Sequence, residues 1–213
     1  MSEPSINRKF PVKKYAGISE YASDYFMQLR NAYSSINFNN LSKAAEILEY
    51  AYRNNKWVYV CGNGGSAALA NHYVCDHGKL VKTLTNFVPK IYSLSTNIEM
   101  ITAISNDISY NDIFEYQLKG LATKGDVLFT ISSSGDSENV VRALIWSKEN
   151  NVRTISLTGF NGGRSSKLAD VNIHVGAHNY GVIEDVHQSI IQILAQYIRQ
   201  TDMEEGVIYK EKF

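Results

Sequence analysis

Cysteine is scarce in this sequence: only Cys61 and Cys75 occur among 213 residues, and they do not form a CxxC pair. Disulfide-stapled secreted domains are far denser in cysteine, so that class is excluded and both thiols are expected to be reduced. The chain also lacks any run approaching the about 20 apolar residues of a membrane span, and no apolar segment follows its basic N-terminus. We therefore expect a cytoplasmic protein with no membrane partner.

A net charge is absent as well, because 21 Lys and Arg residues balance 21 Asp and Glu residues. A broad basic surface is therefore excluded, and with it a nucleic-acid partner; any anion must be held locally. The hydrophobic fraction of 44% and the charged fraction of 20% are typical of a globular chain. Its length favours a single core.

Proline is missing between residues 18 and 54, and apolar side chains recur there at steps of three and four. This pattern predicts two helices broken near residues 37–40, and we assign residues 1–54 to an N-terminal helical extension. A further helix is predicted over residues 182–199, with an apolar stripe wide enough for burial against a sheet or another subunit. The charged tail, residues 201–213, is expected to fray.

Between residues 55 and 200, five short runs rich in β-branched and aromatic residues alternate with helical segments. Parallel strands need crossover connections, and those crossovers cover both faces of the sheet. The alternation therefore predicts an α/β domain with a five-stranded parallel sheet flanked by helices, in a flavodoxin-like three-layer sandwich. The predicted strands are residues 57–61, 90–95, 126–131, 154–159 and 171–176.

Two polar loops follow predicted strands and precede predicted helices, the first of which covers residues 67–77. The loop GNGGS, residues 62–66, is rich in glycine, which lets the backbone approach a ligand. The loop SSSGDS, residues 132–137, sets four hydroxyls before a helix N-terminus, where an anion is favoured. Each loop alone could be an N-cap or a tight turn. Together, at the carboxyl ends of parallel strands, they predict a phosphate-binding site.

Two other phosphate motifs fail the test. The chain has no GxxxxGK[ST] motif, so a P-loop nucleotide site is excluded. Gly62, Gly64 and Ala67 match a loosened dinucleotide fingerprint, but residues 95–97 at the end of the next strand include no acidic residue for the ribose hydroxyls. We therefore expect no nucleotide cofactor.

Five segments in this order resemble the sugar isomerase (SIS) domain family, and within it the phosphoheptose isomerase branch. The similarity extends over about residues 40–200 and rests above all on the GNGGS turn, the ND pair and the SxSGxS loop. The segments are CGNGGSAALANHYVCDH, AISNDISYNDIF, GDVLFTISSSGDSENVVRAL, ISLTGFNGGRSSKLAD and VIEDVHQSIIQIL.

The resemblance implies a single SIS domain and a homotetramer whose active sites lie at subunit interfaces. It implies an enzyme, a ketose-aldose isomerase that interconverts sedoheptulose 7-phosphate and D-glycero-D-manno-heptose 7-phosphate for the heptoses of lipopolysaccharide, capsule or other surface glycans. The residues assigned to the sugar phosphate are Asn63, Gly64, Gly65, Ser66, Asn106, Asp107, Ser132, Ser133, Ser134, Ser137 and Glu184.

Aldose-ketose isomerisation moves a proton between adjacent carbons, so it needs a base, an acid and a partner for the developing oxyanion. His72 and Asp76 are four residues apart and therefore share a helix face. In the last helix, Glu184 and Gln192 lie on the same side. These four residues are the candidates for proton transfer and for metal binding.

The phosphoheptose isomerases resembled here carry histidine, glutamate, glutamine and histidine at the positions of His72, Asp76, Glu184 and Gln192. Only His72 matches, and Gln192 cannot serve as a proton donor near neutral pH. Two alternatives stay open. Asp76 and Glu184 could form a carboxylate pair with separated pKa values, or all four residues could bind zinc or another divalent metal that polarises the sugar carbonyl.

The altered residues also leave a non-catalytic function open. SIS domains include binding or regulatory modules, among them a tetrameric partner of the bacterial replication initiator. Plainer structural roles are expected for other residues: Asp76 could pair with Lys79, and Cys75 is expected to be a buried, inert thiol. His187 is expected to support the residues that contact substrate.

Overall fold

The computed structural model describes residues 9–213. Its centre is a five-stranded parallel sheet with the order β2-β1-β3-β4-β5. This confirms the predicted sheet, strand for strand, with ends that shift by at most two residues. The strands are β1 Trp57–Gly62, β2 Lys90–Ser93, β3 Val127–Ser132, β4 Arg153–Thr158 and β5 Val171–His174.

Nine α-helices are present in the described part of the chain and cover both faces of the sheet. A π-helical turn, Asp76–Leu80, directly continues α3, and a 3-10 turn, Tyr110–Asp112, precedes α5. The helices are α1 Ile18–Ser34, α2 Phe38–Arg53, α3 Gly65–Cys75, α4 Ile98–Asp107, α5 Ile113–Leu121, α6 Glu138–Glu149, α7 Ser165–Leu168, α8 Tyr180–Asp202 and α9 Glu205–Ile208.

The sheet separates two apolar cores because successive side chains of a strand point to opposite faces. Val58, Val60 and Phe129 face the core that is covered by α2, α3 and α8. Tyr59 and Leu128 face the core that is covered by α4, α5 and α6. The result is the three-layer sandwich that the alternation of strands and helices predicts.

The N-terminal helices differ in what they cover. Asn37 separates them, since its side chain accepts hydrogen bonds from the backbone N–H groups of Asn39 and Asn40 and so caps α2. Helix α2 packs on the sheet and shares its core, whereas α1 packs on α8. Helix α2 of the predicted extension therefore contributes to the core of the sheet, and the division at residue 54 stays a prediction.

The C-terminal tail contacts the end of α8, and its expected fraying stays a prediction. Helix α8 extends to Asp202, and the guanidinium of the buried Arg199 donates a hydrogen bond from Nη1 to the carbonyl of Lys212 at 2.9 Å. The same guanidinium lies over the ring of Phe213, 4.7 Å from its centroid. These two contacts attach the end of an otherwise mostly exposed tail to α8. Among the helices of residues 9–213, none is long and apolar enough to cross a membrane.

Candidate active site

The two predicted loops meet where the strand order reverses. Strands β1 and β3 are neighbours, with Gly62 opposite Ile131, so both loops leave the same edge of the sheet side by side. In doubly wound α/β proteins this switch point is the usual ligand site. Gly64 has a φ of +53°, and a Cβ on Gly62 would lie 2.6 Å from the backbone oxygen of Ser66. Only glycine fits this tight turn.

A polar cavity of about 170 Å³ opens between these loops and the start of α8. Its wall includes seven of the residues assigned to the sugar phosphate, together with Ile131 and Tyr180, which the sequence did not single out. The seven are Asn63, Ser66, Ser132, Ser133, Ser134, Ser137 and Glu184. We call this cavity the cradle.

The serines of the cradle differ in how they are bonded. The hydroxyl of Ser132 accepts from the backbone N–H of Gly135, and that of Ser134 accepts from the N–H of Asp136. The hydroxyl of Ser133 is buried and has no hydrogen-bond partner within the described residues. Buried hydroxyls are normally paired, so Ser133 is suited to a ligand oxygen in the cradle.

A second loop holds the SSSGDS turn in place. Gly135, with a φ of +65°, lies so close to the loop after β4 that a Cβ would be 2.1 Å from the carbonyl oxygen of Gly162. Arg164 in that loop donates from Nη1 to Glu138 at 2.8 Å and also bonds Asp136. This arginine holds the pKa of the Asp136 carboxyl below its usual range. Sequence reasoning missed Arg164 because the contact joins distant parts of the chain.

Asn63 is fixed by an amide network that sequence reasoning also missed. Its Nδ2 donates to Oδ1 of the buried Asn139 at 2.9 Å, and Asn139 returns a bond to Oδ1 of Asn63 at 3.0 Å. The hydroxyl of Tyr110 donates to the same oxygen at 3.0 Å. The sequence offered one signal of this network: Asn139 is a polar residue in the first turn of a predicted helix.

Not every assigned substrate residue lines the cradle. Asn106 and Asp107 lie at the exposed end of α4 and bond each other, 2.8 Å from Nδ2 to Oδ1. Gly64 and Gly65 form the turn that enters α3, beside the cradle. The substrate contacts of these four residues stay predictions.

Asp76 meets His72 and Gln192. The carboxylate oxygen Oδ2 of Asp76 lies 3.0 Å from Nε2 of His72 and accepts a hydrogen bond from Nε2 of Gln192 at 2.6 Å. Burial raises the pKa of Asp76, and the charge of His72 partly offsets this. Within residues 9–213 Asp76 pairs with His72 and not with Lys79, so the plainer expectation for Asp76 is wrong.

Glu184 belongs to the cradle and not to this group. Its Oε2 lies against the first turn of α3. A Cβ added to Gly65 would be 2.7 Å from this oxygen. Burial raises the pKa of Glu184, and the charge of Asp185 adds to the effect. Glu184 and Gln192 are about 12 Å apart along α8, at a rise of about 1.5 Å per residue. Among the described residues, Asp76 is hydrogen-bonded by Gln192 and not by Glu184.

The donor set does not complete a zinc site. His72, Asp76 and Gln192 come together, but Glu184 does not join them. Across residues 9–213 no three His, Cys, Asp or Glu side chains are close enough to hold a metal. Structural and catalytic zinc sites use three or four strong ligands, whereas this group offers one imidazole, one carboxylate and an amide. We therefore derive no chemical step through a metal, and the divalent cofactor stays a prediction.

Two other expectations have different outcomes. Cys75 is exposed, so the expected buried thiol is wrong there; it ends α3 on the solvent side, and the buried cysteine is Cys61 in β1. His187 is buried, and its Nε2 lies 3.2 Å from the carbonyl of Thr158, while Nδ1 has no hydrogen-bond partner among the described residues. Burial lowers the pKa of His187 to about 4, so its ring is neutral and ties α8 to the end of β4.

Comparisons with known proteins match this architecture. A family model for the SIS domain matches residues 23–159. The phosphoheptose isomerase of Aliarcobacter butzleri (strain RM4018) is 37% identical over 158 residues, which are 74% of this chain and 83% of the relative. The phosphoheptose isomerase of Sulfurimonas denitrificans is 33% identical over 199 residues, which are 92% of this chain and 100% of the relative.

Solved structures agree with these relatives. A phosphoheptose isomerase from Neisseria gonorrhoeae superposes with a TM-score of 0.76 at 28% identity and covers 85% of this chain and 97% of its own. A phosphoheptose isomerase from Francisella tularensis superposes with a TM-score of 0.77 at 27% identity. This match covers 86% of this chain and 96% of the Francisella chain. The chain therefore belongs to the SIS domain family, and within it to the phosphoheptose isomerases.

Proposed function

We propose that this chain interconverts sedoheptulose 7-phosphate and D-glycero-D-manno-heptose 7-phosphate, a ketose-aldose isomerisation in the cytoplasm that supplies heptose for surface glycans. The observation that carries the proposal is the cradle with its unpaired Ser133 hydroxyl. It offers serine hydroxyls beside the N-termini of α3 and α6, which is the chemistry that binds a phosphate without arginine. The relatives named phosphoheptose isomerase support the choice of a seven-carbon sugar.

Asp76 is the proposed base. It removes the proton from the carbon next to the carbonyl, which gives an enediol, and returns the proton to the neighbouring carbon. Gln192 and His72 hold its carboxylate in place through the contacts at 2.6 and 3.0 Å. Burial raises the pKa of Asp76 and so makes its carboxylate a stronger base than a solvated one.

Glu184 is the proposed acid for the sugar oxygens. Its carboxyl lies in the cradle wall, and burial and the charge of Asp185 raise its pKa, which favours the protonated form. The proposal requires the C1–C2 end of the sugar to lie between the two carboxyls, where Asp76 moves the proton between the carbons while Glu184 protonates the carbonyl oxygen and takes the proton of the neighbouring hydroxyl. If a divalent ion is required, His72, Asp76 and Gln192 are its nearest candidate ligands.

A homotetramer is the proposed assembly. Large apolar side chains are exposed on α1, α2 and α8 of the single chain, and such surface is rarely left in water over a wide area. Ile18 is 79% exposed and Phe38 is 73% exposed, and Tyr197 on α8 is half exposed. Light scattering coupled to size exclusion measures the assembly directly.

A direct assay tests the function. Purified protein is incubated with sedoheptulose 7-phosphate, and formation of the aldose is followed with added zinc, with a chelator and with neither. Turnover supports the proposal, and loss of turnover with the chelator would assign a metal. Binding of the sugar phosphate without turnover under any of the three conditions would instead identify a non-catalytic binding module.

Replacing Ser133 with alanine should weaken sugar-phosphate binding about tenfold or more, because a hydrogen bond to a charged group is lost. The melting temperature should not fall, since the hydroxyl is already unpaired in the free protein. Titration calorimetry and thermal unfolding measure the two effects. Ser147 on α6 has an equally buried, unpaired hydroxyl outside the cradle, so Ser147→Ala is the matched control. Equal sugar-phosphate affinity of wild type and Ser133→Ala would contradict the assignment of the cradle as the phosphate-binding site.

A further inference from the structure

His77 follows Asp76 directly and is completely buried in the π-helical turn. Both of its ring nitrogens have partners: Nδ1 lies 2.8 Å from the hydroxyl of Tyr52, and Nε2 lies 3.2 Å from the carbonyl of Ile191. A carbonyl can only accept, so Nε2 carries the proton and Nδ1 accepts from Tyr52. The ring is neutral, since burial lowers the pKa of His77 to about 3.

The surroundings hold this ring rigidly. Tyr73 stacks on His77 with ring centroids 3.8 Å apart and planes within 2°. The hydroxyls of Tyr73 and Tyr52 are 3.1 Å apart, so the hydrogen-bonded series runs from Tyr73 through Tyr52 to His77. All three side chains are buried. A buried polar network that is fully paired fixes one arrangement, because any shift would leave a polar group unpaired.

The His77 end of this network lies beside the proposed base. Asp76 and His77 are neighbours in the π-helical turn, and Ile191 and Gln192 are neighbours in α8. His77 bonds Ile191, while Gln192 bonds Asp76 at 2.6 Å. Two adjacent pairs of residues are thus joined by two hydrogen bonds, and sliding one element along the other would break both. π-helical turns are rare and occur frequently at functional sites.

We propose that His77 is a positioning residue, whose Nε2–H bond to the Ile191 carbonyl holds the π-helical turn in register with α8 and so sets Asp76 against Gln192 and His72. The inference rests on the proposed function, because it assigns Asp76 as the base. His77 does not touch the sugar phosphate; it acts only through the position of Asp76.

His77→Gln and His77→Asn form the decisive pair of variants. Glutamine places its amide near the position of the imidazole Nε2 and can still donate to Ile191, whereas asparagine ends near Nδ1 and cannot reach. We expect His77→Asn to lower kcat about tenfold or more, because small misplacements of a catalytic group are costly. KM should change less than about twofold, since the cradle is untouched. His77→Gln should recover most of kcat.

Controls separate positioning from general loss of stability. Ile190→Val removes one buried methyl group next to Ile191 but keeps every hydrogen bond, and it should leave kcat unchanged. If His77→Asn does not fold, Tyr52→Phe removes the hydroxyl that donates to Nδ1 and accepts from Tyr73, and a several-fold fall in kcat at constant KM is expected. Equal kcat for the Gln and Asn variants, or a loss that appears in KM, would overturn the proposal.

Crystal structures of the same variants keep the inference separate from the proposed function. The contact between Asp76 and Gln192 should persist in His77→Gln and be lost in His77→Asn. If the wild type turns over no sugar phosphate, the proposed function fails, and these structures still decide whether His77 sets the register. An unchanged contact between Asp76 and Gln192 in His77→Asn would overturn the positioning role even in an active enzyme.

Discussion

Asp76→Asn is expected to lower kcat about 10³-fold while leaving sugar-phosphate binding nearly unchanged, because removal of a general base costs about 10² to 10⁴ in rate. The amide cannot accept a proton from carbon, yet it has the same size as the carboxylate. Its oxygen can still accept from Gln192, which bonds Asp76 at 2.6 Å in the wild type. The change therefore removes the chemistry and keeps the geometry.

Three measurements make this result specific. Steady-state kinetics give kcat and KM, calorimetry gives sugar-phosphate binding, and light scattering shows whether the assembly is kept. Asp76→Glu retains a carboxylate and should keep measurable turnover. Glu99→Gln removes an exposed carboxylate on α4 and should change nothing. If Asp76→Asn keeps more than about a tenth of wild-type kcat, Asp76 is not the base.

The sheet and its loops could be predicted from sequence because their signals are local. Each strand is a short apolar run bounded by polar or glycine residues, and parallel pairing follows from the helices between the runs. The GNGGS and SSSGDS loops then lie together because carboxyl ends of parallel strands share one edge. Asn63 and Ser133 in the cradle wall therefore needed no structure to be found.

The parts that escaped prediction depend on contacts between distant residues. Periodicity predicted a helix at residues 67–77. It could not predict the π-helical turn that begins at Asp76, where His77 bonds the distant Ile191 carbonyl. Arg164 reaches Asp136 and Glu138 across two loops. Helix spacing put Glu184 and Gln192 on one side of α8 but could not show that one enters the cradle and the other meets Asp76.

Gly135→Ala is expected to have the other large effect, a loss of sugar-phosphate affinity of about 100-fold, since a displacement of about 1 Å at a positioning loop can cost that much. Gly135 has a φ of +65°, a region that alanine occupies at a cost of about 1–2 kcal/mol. The added Cβ would also lie 2.1 Å from the carbonyl oxygen of Gly162 and 2.6 Å from its carbonyl carbon. Both are backbone atoms, so no side-chain rotation relieves the clash.

The neighbouring loop cannot withdraw at low cost either. The backbone N–H of Gly159 donates to the carbonyl of Ser133 at 2.9 Å, and that of Ser165 donates to the carbonyl of Gly135 at 2.8 Å. Relief of the clash must therefore separate the two loops, break these bonds and move the Ser133 hydroxyl away from the cradle. Calorimetric titration with sedoheptulose 7-phosphate and thermal unfolding measure the two consequences, weaker binding and a lower melting temperature.

Gly120→Ala provides the matched control for this substitution. Gly120 lies in the last turn of α5, and a Cβ there would meet nothing within 4 Å. Alanine in a helix interior stabilises by about 0.5–1 kcal/mol relative to glycine, so the melting temperature should rise slightly and binding should stay constant. If Gly135→Ala binds sugar phosphate as tightly as Gly120→Ala, the close contact between the two loops does not shape the cradle.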